Sequence, residues 1–136
     1  MASERTQSRD LLLRQFDVAW QLAWYHLETL TDDECQWRPA ARGLRVHHHE
    51  GRWTVDWPTH EGYDLGASSA AWIGWHWLFW WRMVIDQTWG AGTLTWPFRE
   101  RSLGDLFAWA NTELTKSAAE LGMVRFLYGA RPPTEP

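Results

Sequence analysis

The chain has one cysteine, Cys35, so no disulfide can form within it. A lone cysteine fits a reducing compartment. Excess positive charge is also lacking: 13 Lys and Arg stand against 17 Asp and Glu, a net charge of -4. A nucleic-acid binder would carry a basic patch or stripe, so no nucleic-acid partner is expected. No run of like charges marks a disordered tail. Residues 1–10 are polar and charged, with no apolar run behind a basic start. They do not read as a secretory signal, and the expected location is cytoplasmic. Long apolar runs are missing as well. The stretch without a full charge, 65–81, contains Gly66, Ser68, Ser69, Gly74 and His76, and Arg82 closes it. A membrane span needs about 20 predominantly apolar residues, so no membrane is expected. There is no internal repeat, no Gly-rich phosphate loop, no Ser-His-Asp signature and no zinc-finger spacing.

What the chain does have is tryptophan, 13 of its 136 residues. Each indole buries a large area and seeks a partner for its N–H. So many in one small chain imply a thick aromatic core, a ring-lined cavity, or both. Hydrophobic residues make up 45%, enough to build a core without a disulfide or structural metal. The length fits a single domain over 1–136.

Periodicity predicts three long helices. Over 8–30, Leu12, Phe16, Trp20, Ala23, Leu27 and Leu30 recur at three- and four-residue steps on one face, with Ser8 as N-cap. Thr31 and Glu34 have the capping-box spacing, which predicts a short turn ended by Pro39. Over 44–58, Trp53, Val55 and Trp57 alternate with polar residues and Glu50-Gly51 sits between two halves, the pattern of a β-hairpin. Ser68 or Ser69 caps a second long helix over 70–88, apolar on every face and therefore buried on most sides. Ser102 and Asp105 again have capping-box spacing and open a last helix over 103–128. Leu106, Ala110, Leu114, Leu121 and Val124 or Arg125 mark its inner stripe, and Gly129 is its expected C-cap. The segment between the last two long helices is too short for another full helix. Three helices would leave one side of the Trp-rich helix poorly covered. Each exposed ring would add roughly 150–250 Å² to an apolar patch. A homodimer is the expected remedy.

His76 is the most informative polar residue, set mid-helix among Trp72, Ile73, Trp75, Trp77, Phe79 and Trp80. A polar ring there needs a hydrogen bond or a metal, and a satisfied core histidine is the plainer outcome. His47-His48-His49 looks like a metal tract, but neighbours along a strand point to opposite faces. An exposed hairpin arm is expected instead. His26 borders the apolar face of the first helix, and His60 sits in a loop. Lys116 and Glu120 are spaced for a surface ion pair on the last helix, which also carries Glu113 and Ser117 at i, i+4. Cys35 stands beside acidic residues, which raise a thiol's pKa, so it has no activator.

Several segments, in this order, carry a resemblance. Leu11-Leu12-Leu13-Arg14-Gln15 opens the first helix, and Leu30-Thr31-Asp32-Asp33-Glu34 and Trp37-Arg38-Pro39 follow it. Gly51-Arg52-Trp53-Thr54-Val55-Asp56-Trp57 forms the hairpin, and Ala71-Trp72-Ile73-Gly74-Trp75-His76 lies in the central helix. The last helix holds Asn111-Thr112-Glu113-Leu114, Ala119-Glu120-Leu121-Gly122 and Arg125-Phe126-Leu127-Tyr128. Together they resemble the DinB-like (damage-inducible, YfiT-like) superfamily. The resemblance implies an all-α, four-helix type of bundle that often dimerises. Here its third helix has no counterpart, and a small β-hairpin lies between helices 1 and 2. It also implies, for many members, a divalent metal held by one histidine of the second helix and two of the last. Some members are thiol-dependent S-transferases that use bacillithiol, mycothiol or glutathione.

This chain departs from that pattern. His76 remains, but Glu113 and Ser117 occupy the places of the last helix's histidines, with Lys116 beside them. Serine is a poor ligand and a lysine repels a cation. The expected metal ligands are thus His76 and Glu113, holding zinc or nickel in a degraded site if any metal is held, with Glu120 as a supporting acid. If activity is retained, a metal-dependent transferase or hydrolase acting on a small molecule or low-molecular-weight thiol is expected. The alternatives are a non-catalytic module that binds an apolar or aromatic molecule with His76 as its polar contact, and a structural dimerisation module.

Overall fold

The computed structural model describes residues 2–60, 63–92, 94 and 102–132. The chain runs α1 (Ala2–Leu27), α2 (Asp32–Gln36), β1 (Val46–His49), β2 (Arg52–Val55), a 3-10 turn (Tyr63–Leu65), α3 (Ala70–Trp89) and α4 (Leu103–Gly129). The three long helices and the hairpin are the elements periodicity predicts, with α1 running over Ala2–Leu27 rather than 8–30. Residues 95–98, read as part of a connector, lie outside the described residues. No helix among the described residues is long and apolar enough to cross a membrane.

The helix starts are chemically specific. Thr31 caps α2 with a full capping box: the Glu34 N–H donates to Thr31 Oγ1 at 3.3 Å and the Thr31 N–H to Glu34 Oε2 at 3.1 Å. Ser69 caps α3, accepting from the Trp72 N–H at 3.2 Å. Ser102 caps α4, accepting from the Asp105 N–H at 3.2 Å. There the return bond differs from a capping box, because the Ser102 hydroxyl itself donates to Asp105 Oδ2 at 2.7 Å. Two caps fall elsewhere than expected. Ser8 is interior to α1, since Glu4, Arg5 and Gln7 are good helix formers and carry the helix back past it. Gly129 is the last residue of α4, and the C-cap is Ala130 in an ordinary right-handed conformation at φ -89°.

The hairpin pairs Val46 with Val55, His47 with Thr54, His48 with Trp53 and His49 with Arg52. Its two-residue turn places Glu50 at φ 49° and Gly51 at φ 75°. Both central residues have positive φ, as the type I′ geometry demands. Gly51 adopts it without strain, whereas Glu50 does not.

α4 is the spine. α1 and α3 both lie along it and scarcely touch each other through their backbones. Small residues form the α1–α4 seam: Ala19, Ala23 and Ala118 are buried around Leu114. Ile73, Trp72, Leu121 and Val124 form a second cluster under Leu44, Val46 and Val55, so the hairpin roofs the start of α3. A third cluster joins Met83, Val84 and Ala110 at the far end. Arg125 ties three elements together. Its guanidinium donates to Glu34 Oε1 at 2.9 Å, to the His26 carbonyl at 2.7 Å and to Thr29 Oγ1 at 3.0 Å.

Candidate functional site

A cavity of about 680 Å³ opens between the hairpin's exit loop, α3 and α4. Its walls are the indoles of Trp57, Trp72 and Trp80, with Ile73 and Val124 behind them. Its polar groups include His76 from α3 and Lys116 and Glu120 from α4. Such a space suits a small organic molecule, for which pockets are commonly about 300–1,000 Å³ and mostly apolar with a few placed polar groups.

His76 is held on both sides by its own helix. Its ring stacks on Trp72, centroids 4.8 Å apart and planes 15° from parallel. One turn on, Trp80 Nε1–H donates to His76 Nε2 at 2.8 Å, an i, i+4 contact. An imidazole that accepts at Nε2 is neutral and carries its proton on Nδ1. Burial, and then the positive charge of Lys116, lower its pKa from 6.5 to about 4, which favours the same neutral form. No buried side-chain nitrogen or oxygen among the described residues lacks a partner. His76 lines the cavity, and in this tautomer its remaining ring nitrogen, Nδ1–H, is a donor.

Lys116 is bracketed by carboxylates, with Nζ 3.4 Å from Glu120 Oε1 and 3.9 Å from Glu113 Oε2. The expected Lys116–Glu120 pair is therefore present. Glu113 does not line the cavity that holds His76. With Ser117 it faces a second hollow of about 10 Å³, alongside Trp77, Trp81 and Trp109. That volume takes about one water molecule. Trp80 lines both spaces, while the two residues expected to share an ion open on different ones. Among the described residues no three His, Cys, Asp or Glu side chains lie close enough to hold a metal.

Of the other histidines, His60 also lines the main cavity, from the loop after the hairpin, and the rest lie outside it. His47 Nε2 meets Asp56 Oδ1 at 2.7 Å, and the other oxygen of Asp56 accepts from the Arg45 N–H at 3.0 Å. Burial alone would raise the Asp56 carboxyl, but these two bonds hold it below its ordinary pKa. The Asp56 carbonyl accepts from Trp72 Nε1–H at 2.8 Å, latching the hairpin to the helix that carries His76. His48 stacks on Trp53, and His49 sits 3.5 Å from Glu50 on the exposed tip. His26 packs against the bare backbone of Gly122, and burial, then Arg125, lower its pKa. The Cys35 thiol is pushed up by burial and by Asp32 and Glu34, so it is a poor nucleophile. Sequence reasoning passed over Trp80 as a partner for His76 and Asp56 as the latch. The first was visible in the four-residue spacing, whereas the second had no local signal.

The sequence matches the DinB superfamily over residues 15–95. That is more than half the chain, and with the helical bundle and its hairpin it places the protein in this superfamily. No curated protein and no solved structure matches it.

Proposed function

We propose that this DinB superfamily member holds an uncharged aromatic or apolar small molecule in the His76 cavity, without a metal and without the family's transferase chemistry. The observation that carries the reading is the Trp80–His76 hydrogen bond. It occupies the lone pair that a metal would need, because neutral imidazole has only one free nitrogen lone pair. The donor set argues the same way. Glu113 opens on a different hollow, and the Glu120 carboxylate beside the cavity is already paired with Lys116. These residues do not fit a divalent ion. The remaining polar groups suit an uncharged ligand: Lys116 and Glu120 offset each other, and His76 is neutral with an Nδ1–H to donate. Three indoles supply flat apolar walls.

The test is elemental analysis of protein purified without a nickel column, paired with tryptophan quenching by an uncharged aromatic probe such as naphthol. Sub-stoichiometric metal and saturable quenching, weakened in His76→Ala, are expected. A full equivalent of zinc or nickel that disappears in His76→Ala would overturn the proposal and restore the metal-dependent transferase.

A further inference from the structure

The walls of the His76 cavity have spent much of their own polar capacity. Trp72 Nε1–H is taken by the Asp56 carbonyl and Trp80 Nε1–H by His76, each at 2.8 Å. These two indoles therefore present ring faces and edges, not donors, to whatever enters. Ile73 and Val124 add nothing polar. His60 stands 3.9 Å from Asp64. Among the described residues, Glu120 is the one carboxylate on the cavity wall and Lys116 its one permanent cation.

These two lie one turn apart on α4, and their pairing is one of charge rather than of hydrogen bonding. Lys116 Nζ is 3.4 Å from Glu120 Oε1 and 3.9 Å from Glu113 Oε2. A charge-assisted N–H···O bond closes to about 2.7–2.9 Å. The ammonium has three donors and the carboxylate several lone pairs, so each keeps hydrogen bonds to give. Both side chains are about half exposed, at 51% and 44%. An exposed ion pair is held weakly, so a ligand can spread it at little cost, and Glu113 stays beside the ammonium as it does so.

A donor and an acceptor fixed side by side read the complementary edge, an acceptor beside a donor. A cis amide has that edge. Its C=O and N–H point the same way, with O and N roughly 2.2 Å apart by the amide bond lengths. Two bonds that splay slightly from such an edge reach partners at the 3.4 Å separation of Lys116 and Glu120. An open-chain secondary amide is trans and points its two groups apart, so a ring must enforce the cis form. A carboxylate in the same place would meet Glu120 as a like charge.

We propose that the ligand of this cavity is a neutral aromatic lactam, with its ring among Trp57, Trp72 and Trp80, its carbonyl accepting from Lys116 and its N–H donating to Glu120. The inference rests on the reading of the cavity as a small-molecule site and names the ligand class. Both bonds are charge-assisted, and a near isostere is rejected because it leaves one of the two groups unmatched. Water reaches both half-exposed partners and can replace a missing bond, which limits the rejection to about tenfold.

The test is calorimetric titration of the full chain at neutral pH with three probes of similar shape. Carbostyril carries the lactam edge, N-methylcarbostyril lacks the donor, and quinoline has an acceptor alone. Carbostyril is expected to bind about tenfold more tightly than the other two. Glu120→Leu and Lys116→Met, with folding checked by circular dichroism, should each erase that preference and bind quinoline as the wild type does. Equal affinity of the wild type for all three probes overturns the lactam inference and leaves the small-molecule reading standing. So does a preference that survives in both variants, which would make the methyl group a steric obstacle only. Absence of binding by every probe overturns the small-molecule reading and the lactam inference together.

Discussion

Replacing Trp80 with phenylalanine removes one N–H and keeps an aromatic ring. In the native chain that N–H donates to His76 Nε2. Only neutral imidazole can accept there, so the bond favours the unprotonated form. A neutral hydrogen bond contributes about 1 kcal/mol net. At about 1.4 kcal/mol per pKa unit, its loss should raise the His76 pKa by about 0.7. The starting value is about 4, and burial and Lys116, which remain, keep the variant below 6.5. The stability consequence has a definite sign. Between about 4 and 6.5 the unfolded chain binds a proton that the native chain does not. Native stability therefore rises with pH across that window, and this contribution is lost as pH falls toward the folded pKa. Trp80→Phe narrows the window, so stability should depend less steeply on pH, while stability at neutral pH drops by about 1 kcal/mol. The measurement is an NMR titration of the His76 ring in both proteins, joined to urea unfolding at neutral pH and inside the window. A wild-type His76 that titrates at its ordinary value would refute the reasoning. So would a pKa unmoved by the substitution.

Arg125→Leu strands the Glu34 carboxylate in a nearly buried place, where its side chain is 10% exposed. A loss of about 3 kcal/mol is expected from the urea midpoint, with part recovered by adding Glu34→Gln. Gly122→Ala would place a methyl 2.6 Å from His26 Nε2, inside contact distance, so the ring must move. About 1–2 kcal/mol of destabilisation is expected on thermal or urea unfolding. Gly129→Ala is the control: nothing lies within 4 Å of the added carbon, and the helix should gain up to about 1 kcal/mol.

Much of this architecture was legible because it is local. Ser69, Thr31 and Ser102 announce helix starts within three residues, and Glu50-Gly51 announces the hairpin turn. His76 stood out as the polar residue inside an apolar run, and it does line the main cavity. What was not legible depends on rotation and distance. Glu113 and His76 sit on facing helices, and the spacing on either helix alone does not show that they open on different hollows. Arg125 read as an alternative to Val124 in a helical stripe. Its partner Glu34 is 91 residues away and already had a role in a capping box, so nothing local suggested the pair. Ser8 has the chemistry of a cap, yet the helix formers Glu4, Arg5 and Gln7 carry α1 back to Ala2.

The α1–α4 seam also has a consequence for the order of assembly. The hairpin reaches α3 across 16 residues, from Asp56 to Trp72, whereas Asn111 reaches back 99 residues to Leu12. Loop-closure entropy makes the longer closure costlier by about 1.5 kcal/mol, and long-range closures are slow. During synthesis α1 therefore emerges before α4 and waits longest, with Phe16, Ala19, Ala23 and Leu27 in solvent, until α4 leaves the ribosome. The helix most in need of cover is the one whose principal partner is translated last, so in the interval it is the segment most exposed to aggregation and to capture by chaperones.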